Sequence, residues 1–218
     1  MSRPPTDELI DRLAAQARPV RPLRPPLKRA LVALSALVGA GAVIVAAMGD
    51  PAGLAARYAG RESMMAIEMV AMGLTALLAL IGAFTVSIPG RSRLWLLAPL
   101  PPASLWIGLS GLGCYAELLR SGSAGTLPGD SLHCFSFLIA ASLLVGLPLF
   151  WQLARARPVD PLPVAALGGL GAAAASAFLL QFFHPFALTL VDLGVHLLAV
   201  LLIVGAASLS RRLALSPA

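Results

Sequence analysis

Charge is scarce in this 218-residue chain: Asp, Glu, Lys and Arg make up 12% of it, about half their share in soluble domains. A water-soluble globule of this size cannot cover its surface with so few ionised groups. Cysteine is nearly absent, and two residues are too few for a disulfide-stapled mini-domain or a four-thiolate zinc site. Histidine occurs three times and aromatics make up 6%. The polar tail has no phosphate-cradling glycine loop, kinase signature or zinc-binding helix motif, so no enzyme is expected. What is abundant is apolar side chain, at 58% of residues and a mean hydropathy of +0.86. Disorder is excluded by the same figures, since it needs low hydrophobicity and high net charge. The composition is that of an integral membrane protein.

A bilayer core of about 30 Å takes about 20 apolar helical residues to cross. Six stretches qualify: residues 30–48, 63–88, 100–116, 132–153, 163–183 and 185–209. The third begins among Pro99, Pro101 and Pro102, which suit a first helical turn because proline's missing N–H has no partner there anyway. Residues 94–98 are expected at the membrane surface, with Trp95 as an interfacial anchor. The fifth and sixth stretches are separated only by His184-Pro185, as a tight hairpin or a broken helix. A retained first helix is expected over a cleaved signal peptide, because a tail of 29 residues precedes an apolar run of 19.

Lys and Arg are distributed unevenly between the two sides. The tail holds Arg3, Arg12, Arg18, Arg21, Arg24, Lys28 and Arg29, and alternate loops add Arg91, Arg93, Arg155, Arg157, Arg211 and Arg212. Only Arg57, Arg61 and Arg120 fall on the opposite side. The positive-inside rule then puts both termini in the cytoplasm, which requires an even number of spans. The expected fold is all-α: a polytopic bundle of six transmembrane helices within residues 30–212, a cytoplasmic tail of residues 1–29, and a short cytoplasmic end at 213–218.

The tail has its own pattern. Thr6 can cap a helix whose first turns hold Asp7, Glu8 and Asp11, matched to the positive end of the helix dipole. Leu9, Ile10, Leu13, Ala14 and Ala17 recur on one face. About three turns are too few for stability alone in water, so the helix needs its Leu/Ile face buried. Arg18-Pro19-Val20-Arg21-Pro22-Leu23-Arg24-Pro25-Pro26 follows as an extended, semi-rigid spacer. Residues Arg21 to Arg29 suit anionic lipid head groups, whereas three acids within residues 7–11 do not. A protein partner taking the Leu/Ile face in a groove suits the helix better. Leu9, Ile10 and Leu13, with Arg12 and Arg18, are the candidate partner-binding residues.

At the outer face, Cys114 closes the third span and Cys134 opens the fourth. His133 adjoins Cys134, and His184 ends the fifth span on the same side. Two thiols and two imidazoles at similar depth can hold a soft divalent ion such as zinc, cadmium or copper. A Cys114–Cys134 disulfide, requiring Cα atoms within about 7 Å, and ordinary helix packing are the alternatives. Glu68, Asp192 and His196 are the remaining intramembrane ionisable groups, which by default suggest function or mutual pairing. Asp192 and His196 are four apart and share a helix face. A small transporter or channel lined by these three is the alternative function, although no continuous line of polar positions accompanies them. The small residues of 168–175 favour close helix packing.

Asp7-Glu8-Leu9-Ile10-Asp11-Arg12-Leu13, followed by Ala17 and the Arg/Pro spacer, resembles the N-terminus of the NrsF-like family of bacterial inner-membrane proteins. These are negative regulators (anti-sigma factors) of an extracytoplasmic-function sigma factor of the F type. The resemblance continues at Val86-Ser87-Ile88-Pro89-Gly90-Arg91-Ser92-Arg93, at Leu109-Ser110-Gly111-Leu112-Gly113-Cys114, at Cys134 and in the six-span layout. It implies a tail that sequesters the sigma factor at the membrane without touching nucleic acid. It also implies release when Cys114 and Cys134 sense oxidative or heavy-metal stress. His184-Pro185 stands where the family pattern has Cys-Pro, which argues against a purely dithiol switch and leaves metal binding open. A homo-oligomer is also left open.

Overall fold

Prolines mark where helices begin in this protein. The structure, a computed structural model, describes residues 6–17, 23–57, 59–60, 62–122, 128–183 and 190–214. Among these, the helices are α1 (Thr6–Gln16), α2 (Pro26–Met48), α3 (Pro51–Arg57), α4 (Glu62–Val86), α5 (Leu100–Ser121), α6 (Pro128–Ala154), α7 (Pro161–Leu180) and α8 (Leu190–Ala214). A 3-10 turn at Arg93–Leu96 precedes α5. Proline occupies the first turn of α2, α5 and α7, where its fixed φ suits the helix and no N–H is lost. The helix of the third apolar stretch thus starts at Leu100, among the prolines. Six helices, α2 and α4 to α8, are long and apolar enough to cross a membrane. The all-α, six-span expectation is met.

Some ends differ from expectation. α2 begins at Pro26 rather than at residue 30, because Leu27, Lys28 and Arg29 are good helix formers that hydropathy alone leaves out. α5 runs on to Ser121 and stops at Gly122, whose φ of 68° gives a left-handed cap. α3 was not expected; the Asp50 carboxylate accepts the Gly53 N–H at 2.8 Å and so caps its first turn. Residues 184–189, including the expected hairpin or helix break at His184-Pro185, and the spacer residues 18–22 lie outside the described residues.

α7 is the centre of the bundle, packed against α4, α6 and α8. Ala165, Ala173 and Ala174 are fully buried along it. A Cβ on Gly169 would stand 3.1 Å from the Val204 Cα of α8, and one on Gly171 would stand 2.8 Å from the Leu80 side chain of α4. Glycine at these positions therefore lets neighbouring helices approach closely, the usual basis of association where lipid removes the hydrophobic drive. The buried hydroxyls of Thr75 and Ser176 are bonded back into their own helices, to the Ala71 carbonyl at 2.8 Å and the Ala172 carbonyl at 2.9 Å.

The helices alternate in direction. At one end, Ala30 of α2, Ala83 and Phe84 of α4, Leu149 and Leu153 of α6, and Val164 of α7 form one buried cluster. The starts of α2 and α7 therefore meet the ends of α4 and α6. At the other end, the Asp50 N–H donates to the Phe182 carbonyl at 2.9 Å, joining the segments that follow α2 and α7. The 3.6 Å Arg93–Asp160 ion pair links two loops on the tail side. Both its side chains are exposed, so its contribution to stability is small.

Candidate functional site

The tail helix presents its candidate binding face openly. α1 runs over Thr6–Gln16 with Asp7 and Glu8 in its first turn, as the dipole pattern places them, and it buries no residue. Leu9, Ile10 and Leu13 are 45%, 56% and 59% exposed. Arg12 is exposed as well, and Arg18 lies outside the described residues. So a short amphipathic helix stands apart from the bundle core with its apolar face unused by the fold, an arrangement that suits docking into a groove on another protein.

The candidate sensing residues are only partly described. Cys114 is a free, buried thiol on α5, within electrostatic reach of Glu68 and Asp192. Cys134 lies in α6, with its side chain outside the described residues. His133 is exposed on the first turns of α6, and its carbonyl accepts the Ser136 hydroxyl at 2.9 Å. His184 lies outside the described residues. Among the described residues, no three His, Cys, Asp or Glu side chains converge as metal ligands do.

The intramembrane polar residues sit inside the bundle. Glu68 of α4 is 5% exposed, and the Ser110 hydroxyl of α5 donates to its carboxylate at 2.5 Å. Asp192 of α8 is buried. The expected closeness of Asp192 and His196 is found in a different form: the imidazole Nδ1 contacts the Asp192 backbone carbonyl at 2.6 Å. A cavity of about 70 Å³ lies between α4, α5, α7 and α8, lined by Trp106, Ser110, Gln181 and His196 among apolar side chains. The Gln181 amide donates weakly to the Met72 sulfur at 3.9 Å. Local contacts thus take up Glu68 and His196, as in a packed polar interior.

Sequence reasoning missed two of these residues. Ser110 belongs to the Leu109–Cys114 motif, but a lone serine carries no signal of a partner such as Glu68 on another helix. Arg29 is the last residue of the expected polar tail, yet it is 9% exposed. Its Nη2 donates to the Gln152 carbonyl of α6 at 2.5 Å, and its guanidinium lies 5.0 Å from the centre of the Phe84 ring. The tail is therefore joined to the bundle by a buried arginine at the first turn of α2.

A family model, NrsF, described as negative regulator of sigma F, matches residues 13–215. The chain belongs to the NrsF family. The match begins at Leu13, the last of the three large apolar residues on the α1 face, and runs through all six spans. NrsF is a family of regulators rather than of enzymes, and its description implies a sigma factor as partner. No curated protein and no solved structure matches this NrsF chain.

Proposed function

We propose that this NrsF protein is a membrane-anchored anti-sigma factor that holds an extracytoplasmic-function sigma factor through α1. The observation that carries the reading is the α1 face: Leu9, Ile10 and Leu13 stand exposed on a helix too short to persist without a partner. Burying the three residues in a groove of the sigma factor stabilises the complex by about 1.5–3 kcal/mol for each large side chain. Held in this way, the sigma factor's polymerase-binding surface is occluded. Arg12 and Arg18 add polar contacts at the rim.

The protein is oriented with both termini in the cytoplasm of a bacterial inner membrane, supported by the excess of Lys and Arg on the tail side. The Arg93–Asp160 pair and the shared cluster of α2, α4, α6 and α7 agree with that grouping of loops. At the outer face, Cys114 and Cys134 sense oxidant or a soft divalent metal ion, with His133 and His184 as further ligands. The change repacks α5 and α6 and frees the sigma factor.

Co-purification of the cognate sigma factor with the full-length protein tests the docking half. Leu9→Asp and Leu13→Asp should each abolish it, and binding equal to wild type in both variants refutes docking through α1. For the sensing half, the Cys114→Ser, Cys134→Ser double variant should leave the target genes repressed under oxidant or metal. A normal response in that variant removes the cysteines from the mechanism.

A further inference from the structure

The tail-side ends of α2 and α6 hold two arginines and no acid to match them. Arg29 uses its Nη2 on the Gln152 carbonyl and lies over the Phe84 ring, while its Nη1 is buried without any hydrogen-bond partner. Arg155 follows Gln152 by three residues at the same end of α6, which brings a second cation beside Arg29. Among the described residues, neither arginine forms an ion pair with a carboxylate. The start of α2 adds to the imbalance, because it has no side-chain cap and no acidic residue in its first turn. Its positive pole is therefore uncompensated. Arg155 lies over the Trp151 ring at 3.6 Å, and Trp151 is 60% exposed. An exposed tryptophan at the end of a span marks the depth of the lipid head groups.

We propose that Arg29, Arg155 and the first turn of α2 form a binding site for one anionic phosphate group. A guanidinium donates in a planar fork that matches phosphate oxygens, and two guanidinium groups facing one anion turn mutual repulsion into attraction. A phosphate oxygen at Nη1 would supply the hydrogen bond that this buried atom lacks. At this depth the source is the head group of an acidic phospholipid, with free phosphate as the other source of the same chemistry. Occupancy would fix the point at which the tail leaves the membrane. The inference does not depend on a sigma factor being the partner.

The test uses the full-length protein in detergent, supplemented with phosphatidylglycerol, phosphatidylcholine or inorganic phosphate, and reads the thermal unfolding midpoint. Phosphatidylglycerol should raise the midpoint by several degrees beyond phosphatidylcholine, as a ligand of the folded state does. Arg29→Gln and Arg155→Gln should both lose that difference, while Arg91→Gln, an exposed basic residue on the same side, should keep it. Arg155 is exposed, so its variant remains informative even where Arg29→Gln folds poorly. A matching rise with inorganic phosphate alone supports the anion site and assigns it to the free ion. Equal effects of the two lipids with no effect of inorganic phosphate, or a full lipid-specific shift in Arg155→Gln, overturn the proposal.

Discussion

Ser110 and Ser142 are both buried serines in this apolar bundle, and they should respond in opposite ways to loss of the hydroxyl. Ser110 donates to Glu68 across two helices. Ser110→Ala removes a donor from a buried carboxylate and should destabilise the protein by about 1–3 kcal/mol. Glu68→Gln keeps an acceptor for Ser110 and should cost less. The Ser142 hydroxyl is buried with no partner, so Ser142→Ala should be neutral or stabilising by up to about 1 kcal/mol. Chemical or thermal unfolding in detergent measures all three. A larger loss for Ser142→Ala than for Ser110→Ala contradicts the hydrogen-bond assignment. At this scale little was legible beforehand. Glu68, Asp192 and His196 stood out as ionisable residues in apolar runs, but their neighbours depend on how each helix is rotated. Arg29 is hidden for the same reason: in the chain it follows the basic, proline-rich spacer, while in the fold it lies against Phe84 and Gln152.

Among the helices, the spans were the most legible feature, because a run of about 20 apolar residues has few other uses. Their packing order was not, because helices that are apolar all round carry no stripe pointing to a neighbour. The small-residue stretch was the exception: Gly168 to Ala175 was expected to pack closely, and it lies on the central helix α7. Gly169 meets the α8 backbone near Val204 and the Ala207 methyl. Gly169→Val should force α7 and α8 apart and destabilise the bundle by about 1–3 kcal/mol. Gly108→Val is the matched control, since nothing lies within 4 Å of a Cβ there. Unfolding midpoints that fall equally in both variants would show that the α7–α8 contact is not close. α3 escaped notice because it is too short to leave a periodic pattern, and only the Asp50 cap marks its start.

For the whole molecule, the proposed orientation rests on the sequence pattern that assigns thirteen Lys and Arg to the tail side and three to the opposite side. Cysteine-accessibility labelling in intact cells tests the orientation. Single cysteines at residues 24, 91 and 157, in an otherwise cysteine-free background, should resist a membrane-impermeant maleimide. One at residue 57 should react, and the reverse pattern inverts the topology. The proposed division of labour follows from that orientation: α1 holds the partner on the inner side, and Cys114 lies near the outer end of α5. The direct measurement is the affinity of the purified cognate sigma factor for the full-length chain in lipid nanodiscs, with and without the Leu9→Asp, Leu13→Asp pair. Loss of two apolar anchors should weaken binding by about a hundredfold or more. Undiminished affinity in the double variant would contradict the claim that this family member acts through the exposed face of its tail helix.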